Sequence, residues 1–313
     1  MRIIGFIAAA LLAGLAATGA QAEDLSKVTL RMADQKGGSR ALLEAAGELK
    51  DVPYKIEWSE FPAAAPLLEA LNAGAADGGP VGDAPLVFAL AAQAPVRPIA
   101  VNRSDPFGTA ILGRPDSPLD GAASLKGKRI GTNKGSIGHF IALAALADAG
   151  LKPTDVTFAF LPPVDAKTAL ASGSIDAWAT WEPYTALAQV ADHDKVIVNG
   201  RGLWSGLSYQ VATVEAIRTK HAALQDYVER LRRAQRWANE HVDLYAASLA
   251  QIVGIPPEAA KLAFERRHTE WIAIDDSVVA AEQHVVDTYA AARVIPTRFE
   301  VAPDFDRSFS LTE

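Results

Sequence analysis

Residues 70–77 read Ala-Leu-Asn-Ala-Gly-Ala-Ala-Asp, and residues 169–176 repeat the pattern as Ala-Leu-Ala-Ser-Gly-Ser-Ile-Asp at an offset of 99. Two further landmarks keep that spacing. Lys36-Gly37 and Lys134-Gly135 each close a strand-like run and open a helix-like one, 98 positions apart. Six residues beyond Asp77 and Asp176 stands an acid beside a proline: Asp83 with Pro85, and Glu182 with Pro183. A block repeated at this offset restricts the chain to folds with two similar lobes.

Each block alternates strand-like and helix-like segments. Strands are predicted at 28–33, 54–59 and 96–101, then at 128–132, 156–161 and 175–179. Helices are predicted at 39–50, 66–73 and 84–93, then at 136–149, 165–172 and 183–191. In 54–59 apolar and polar residues alternate, the pattern of a half-buried strand. Gly74 and Gly150 stand where helices should stop. Strands alternating with helices predict an α/β fold with parallel sheets covered on both faces. From about residue 208 the chain reads as mainly helical, over 215–246, 257–264 and 276–292, as if returning to complete the first lobe. Gly-, Ser- and Pro-rich stretches at 113–125 and 202–209 are the predicted crossings. The expected division is lobe 1 at 23–112 and 206–313, and lobe 2 at 113–205.

The ends and the composition narrow the setting. Met1-Arg2, an apolar run over 3–17 and the small-x-small triplet Ala20-Gln21-Ala22 have the layout of a secretory signal peptide, residues 1–22. Cleavage would leave a chain starting near Glu23, with no membrane insertion expected. There is no cysteine, so neither a disulfide nor a lipidated amino terminus is available. Stability must come from a large core, which 313 residues at 50% hydrophobic content can build. A net charge of −7 argues against a nucleic-acid partner. It does not disfavour a small anion, because a site acts through local dipoles.

The repeated turns are the main chemical signal: Gln35-Lys36-Gly37-Gly38-Ser39 and Asn133-Lys134-Gly135-Ser136. Glycine brings backbone N–H groups close to a ligand. Serine caps a helix or donates its hydroxyl. A helix start favours negative charge. One such turn from each lobe would clamp a tetrahedral anion. Gly82-Asp83-Ala84-Pro85 and Trp181-Glu182-Pro183 are a second pair of helix starts. Asp83 and Glu182 either cap these helices or meet the cationic end of a zwitterionic ligand. Trp178, Trp181, Tyr184, Trp204 and Tyr209 could form a wall for an organic tail, with Trp178 assigned to the core and Trp181 and Trp204 as the contact candidates. His139, one turn inside the second helix, is the histidine nearest a candidate turn. No catalytic or metal-binding spacing occurs among the six histidines, and no phosphate-loop or nucleophile-elbow motif is present. No cofactor and no metal are expected.

The chain resembles substrate-binding proteins of the nitrate/sulfonate/taurine branch of ABC transporters, most nearly the aliphatic-sulfonate binders. The resemblance rests on residues 35–39, on Val81-Gly82-Asp83-Ala84-Pro85, on Ser124-Leu125-Lys126-Gly127-Lys128-Arg129-Ile130, on residues 133–136, and on the run from Asp176 to Tyr184. It implies a two-lobed periplasmic-binding fold of type II with a double crossover. It also implies a sulfonate-type anion held between the lobes, delivery to permease subunits, a periplasmic location and a monomer. The family usually has Asp where Glu182 stands, and Trp204 is larger than its pattern suggests. Nitrate, bicarbonate or aromatic acids are alternative ligands. Some relatives on the fold are enzymes, desulfinases among them, and the resemblance implies a cysteine in those that this chain lacks.

Overall fold

The computed structural model describes residues 24–310, so the expected leader lies outside the described residues. The first block runs β1 (Thr29–Gln35), α1 (Ser39–Ala45), β2 (Lys55–Phe61), α2 (Ala64–Asn72), β3 (Gly78–Gly82), α3 (Asp83–Ala91), β4 (Val96–Arg103). The second runs β5 (Ala110–Gly113), β6 (Arg129–Thr132), α4 (Ile137–Asp148), β7 (Thr157–Phe160), α5 (Pro163–Ala171), β8 (Ala177–Thr180), α6 (Tyr184–Ala191), β9 (Lys195–Asn199). The last part contributes β10 (Leu207–Thr213), α7 (Val214–Thr219), α8 (His221–Glu240), α9 (Val242–Val253), α10 (Pro257–Glu265), β11 (Glu270–Ile272) and α11 (Asp276–Ala291).

These strands form two sheets. One has six strands in the order β11-β4-β10-β3-β1-β2, the other five in the order β7-β6-β8-β5-β9. The predicted all-parallel pairing is corrected here, because both sheets are mixed. β10 runs antiparallel to β3 and β4, and β5 antiparallel to β8 and β9. The cause is the crossing itself, since a strand that enters from the other lobe arrives in the opposite direction. The helix predicted over 39–50 stops at Ala45, because Gly47 turns the chain at φ 74°. β2 is an edge strand of the six-stranded sheet and largely alternates exposed and half-buried positions, as its sequence predicts.

The repeat is structural as well as sequential. The Asp77 carboxylate accepts the Arg31 N–H at 2.8 Å, and the Asp176 carboxylate accepts the Arg129 N–H at 2.8 Å. Each aspartate thus pins the first parallel strand of its lobe. The backbones are matched too: Asp77 N–H donates to Arg31 O at 2.7 Å and Asp176 N–H to Arg129 O at 2.8 Å. In lobe 1 the clamp is reinforced by ion pairs from Arg31 and Lys220, both at 2.6 Å. Burial raises the Asp77 carboxyl, but these donors bring it below the ordinary carboxylate value.

The chain leaves the six-stranded sheet after Arg103 and enters the other at Ala110; it returns between Asn199 and Leu207. The first crossing therefore lies ahead of the 113–125 stretch expected from composition, because residues 110–113 already pair with β8 and β9. The two crossings run side by side. Ser104 N–H donates to Gly206 O at 2.9 Å, and Arg201 pairs with Asp105 at 2.5 Å. Phe140 and Leu143 of α4 share one apolar core with Leu86 and Val87 of α3 and Val285 and Tyr289 of α11. The lobes therefore pack against each other as well as being joined by the crossings.

Candidate functional site

In both sheets the parallel strands point their carboxyl ends at the loops that carry the predicted turns, the usual location for ligands in open α/β sheets. The turns match in backbone. Gly38 N–H donates to Gln35 O at 2.8 Å, and Ser136 N–H to Asn133 O at 3.2 Å. Gly37 and Gly135 both take positive φ, 77° and 75°.

Their chemistry is not matched. In lobe 1 the buried Asp34, one residue before the turn, already occupies the helix start. Its carboxylate accepts from the N–H groups of Gln35 (2.8 Å), Ser39 (3.1 Å) and Arg40 (2.7 Å). Burial pushes this carboxyl up, while the three N–H groups pull the other way. The turn's amides thus hold an anion supplied by the chain itself. The position equivalent to Asp34 in lobe 2 (34 + 98) is Thr132, whose buried hydroxyl makes no hydrogen bond. There Ser136 caps α4, accepting His139 N–H at 3.2 Å and donating its own proton to Asn133 O at 2.7 Å. Gly135 N–H faces the His139 ring nitrogen Nδ1 at 3.3 Å. Ile137 and Gly138 are the first positions of α4, whose N–H groups have no partner within a helix. Thr180, at the end of β8, carries a second buried hydroxyl without a partner.

The two turns are held by different elements. Gly37 lies against Leu249 and Val253 of α9, whereas Gly135 lies against Phe88 of α3. The Tyr289 hydroxyl of α11 donates to Ser136 O at 3.1 Å, tying the lobe 2 turn to lobe 1. Lys134 is exposed, its ammonium 5.8 Å above the Phe160 ring. His139 is buried among Phe158 and Phe160, both at 5.2 Å. Burial and nearby Lys134 lower its pKa to about 4, so it is neutral at ordinary pH. A cavity of about 220 Å³ opens beside the lobe 1 turn, bordered by Gln35, Gly37, Arg40, Trp58 and Glu60. All of its lining residues belong to lobe 1.

The second pair of helix starts also diverges. Gly82 is the N-cap of α3, and Asp83 is wholly buried at its first position. The Asp83 carboxylate accepts from Ala84 N–H at 2.6 Å and from the Trp204 indole N–H. Burial is the main cause that raises this carboxyl to about 7. Glu282 of α11, also wholly buried, is held well above the ordinary glutamate value by burial and by repulsion from Asp83. Glu182 accepts from Ala186 N–H at 3.0 Å and from Arg266 of lobe 1. Burial raises it, against the pull of that guanidinium.

The aromatic wall divides. Trp178 is buried, as expected, and Trp178, Trp181 and Tyr184 form one group, with ring centroids at 6.3 and 5.8 Å from Tyr184. Trp204 instead packs against the cores of both lobes. Sequence reasoning did not find Asp34, Thr132, Arg266, Glu282 or Tyr289. The signal for Thr132 was available, since it is the repeat partner of Asp34.

The NMT1-like family model matches residues 44–254. A protein of Escherichia coli K12 named as an aliphatic sulfonates-binding protein is 33% identical over 296 residues, covering 93% of each chain. Among solved structures, the alkanesulfonate-binding protein SsuA of Xanthomonas axonopodis pv. citri bound to MOPS is 33% identical with a TM-score of 0.82, covering 90% of this chain and 98% of that one. The periplasmic aliphatic sulphonate binding protein SsuA of Escherichia coli is 30% identical with a TM-score of 0.84, covering 91% and 94%. The desulfurization enzyme DSZB, 17% identical at a TM-score of 0.67 over 90% and 97% of the two chains, shares the fold alone. The two-lobed, doubly crossed architecture and the full-length similarity lead to one assignment: the chain belongs to the NMT1-like family, alongside aliphatic sulfonate-binding proteins.

Proposed function

We propose that this chain is the periplasmic solute-binding component of an ABC importer, that it holds a sulfonate-type organic anion between its lobes, and that it delivers that anion to permease subunits as a source of sulfur. The observation that carries the reading is 33% identity across 93% of both chains to a protein named for binding aliphatic sulfonates. It acts as a monomeric binder and not as an enzyme, so pure protein leaves sulfonates and sulfinates chemically unchanged.

Within that reading the two turns divide the work. The lobe 1 turn is closed by Asp34, so the anion seat is on lobe 2, at the open end of α4 and beside the hydroxyls of Thr132 and Thr180. Trp181 and Tyr184 supply the surface for the tail. Calorimetry with alkanesulfonates, MOPS, taurine and nitrate tests the assignment, and a chain that binds none of the sulfonates refutes it. Thr132→Val separates binding from stability. Removing a buried hydroxyl that lacks a partner should raise stability by about 1 kcal/mol. The same change should weaken sulfonate binding by roughly 1 kcal/mol or more if the hydroxyl donates to the anion. Unchanged affinity would move the seat away from Thr132.

A further inference from the structure

We infer that Glu182, Arg266 and Gln189 form a latch between the lobes, positioning residues that hold the protein closed and set how long a bound ligand stays; this rests on the interlobe binding proposed above. Arg266 directly follows α10 in lobe 1, and its guanidinium reaches into lobe 2. Nε donates to Glu182 Oε1, and Nη1 donates to Gln189 Oε1 on α6 at 2.7 Å. The Glu182 side chain is 5% exposed and that of Arg266 13%, so this is a nearly dry pair.

The same carboxylate is also tied to its own lobe, because Glu182 Oε2 accepts Ala186 N–H at 3.0 Å. One side chain therefore spans from the start of α6 to the other lobe. The crossing makes room for it: a Cβ at Gly108 would stand 2.5 Å from Glu182 Cγ. Arg266 lies over the Phe107 ring of the first crossing at 5.5 Å, and Arg201 of the second crossing lies over the same ring at 5.1 Å. The latch is thus packed onto both hinge segments. An aspartate at 182 is one methylene shorter and could not keep both the α6 amide and the guanidinium. The length of Glu182 therefore matters for closure.

Removing one partner of a buried charge pair acts mainly on dissociation. Arg266→Met keeps the apolar stem and removes the charge. Glu182→Asp keeps the charge and shortens the reach. Ligand release is followed by stopped flow with an alkanesulfonate, and lobe closure by small-angle scattering of the ligand-free proteins. Arg266→Met should speed release by at least about tenfold with little change in association rate. It should also enlarge the ligand-free radius of gyration. Glu182→Asp should shift both quantities in the same direction by less. The double variant should be no worse than Arg266→Met alone, since both changes break one contact. Release rates and radii that match the native protein in both single variants overturn the latch. Additive effects in the double variant overturn it as well. If the native protein binds no sulfonate, the function proposed above fails, while the scattering comparison still decides whether the latch closes the lobes.

Discussion

Gly206→Val should remove a large part of the protein's stability, more than most substitutions in the core. Gly206 sits in the return crossing at φ 78°, a conformation that a β-branched residue adopts only under strain. A Cβ there would also stand 2.0 Å from the Ser104 carbonyl oxygen, and a backbone atom cannot turn aside as a side chain can. The hydrogen bond from Ser104 N–H to Gly206 O would be lost with any shift. Left-handed strain and the lost contact together cost at least about 3 kcal/mol, against a total of roughly 5–15 kcal/mol for a folded protein. Gly202→Val is the control. Its φ is 80°, but no atom lies within 4 Å of the added carbon, so only the conformational cost remains. Urea unfolding should show a much larger fall in midpoint for Gly206→Val. Equal falls would mean that the close approach of the crossings contributes nothing.

The second large effect is in the pH dependence of stability. Asp83 has a carboxyl raised to about 7 in the fold from an ordinary value of 3.8, chiefly by burial. The folded protein favours the protonated form. Its contribution is therefore fully present below pH 3.8 and is lost as pH rises through about 7. Asp194, raised to about 6 by burial and by Asp192, has the same sign. His139 has the opposite sign. Its pKa falls from 6.5 to about 4, so its neutral form is lost at a cost as pH drops through that interval. Above pH 6.5 the carboxyl contributions stand alone. The groups facing Asp83 are Glu282, Tyr209, Tyr289 and the Trp204 indole, and none of them supplies a positive charge. A tenfold change in proton affinity between the folded and unfolded chain is worth about 1.4 kcal/mol, so the loss across the window amounts to several kcal/mol. Asp83→Asn keeps an acceptor for Trp204 and cannot ionise. The melting temperature of the native protein should fall between pH 5 and 8, and that of Asp83→Asn should fall much less. Parallel curves for the two proteins would assign the slope to other groups.

How much of this was legible depends on the range of each interaction. Apart from β3, β5 and β9, the strands and helices of both blocks follow from local periodicity, and the duplication follows from landmarks such as Asp77 and Asp176. β3 stayed hidden because Gly-Gly-Pro is a poor strand sequence. Its glycines are required by neighbours: Cβ atoms at Gly78 and Gly79 would stand 2.7 and 2.6 Å from the carbonyl oxygens of Val211 and Ala33. β10 reads Leu-Ser-Tyr-Gln-Val-Ala-Thr and carries the alternation of a strand, but the helices that follow it dominated the reading of that region. At the site, sequence identified the turns and their backbone geometry. It did not identify what satisfies them. Asp34 lies outside the turn motif, Arg266 lies 84 positions from Glu182, and Trp204 lies 121 from Asp83. Contacts of that separation leave no local mark.

The position of β10 has a consequence for the order in which the molecule can be completed. The five-stranded sheet is made from one continuous stretch, residues 110–199. The six-stranded sheet has β10 between β3 and β4, so those two strands have no common partner until residue 207 and beyond are available. Closing that gap requires the whole second lobe to lie inside a loop, and long-range pairing of this kind is slow. As the chain emerges from its amino end, the half that begins second is the half that can finish first. The first lobe waits with a slot in its sheet, and its partly paired edges are the surfaces that need protection in the interval.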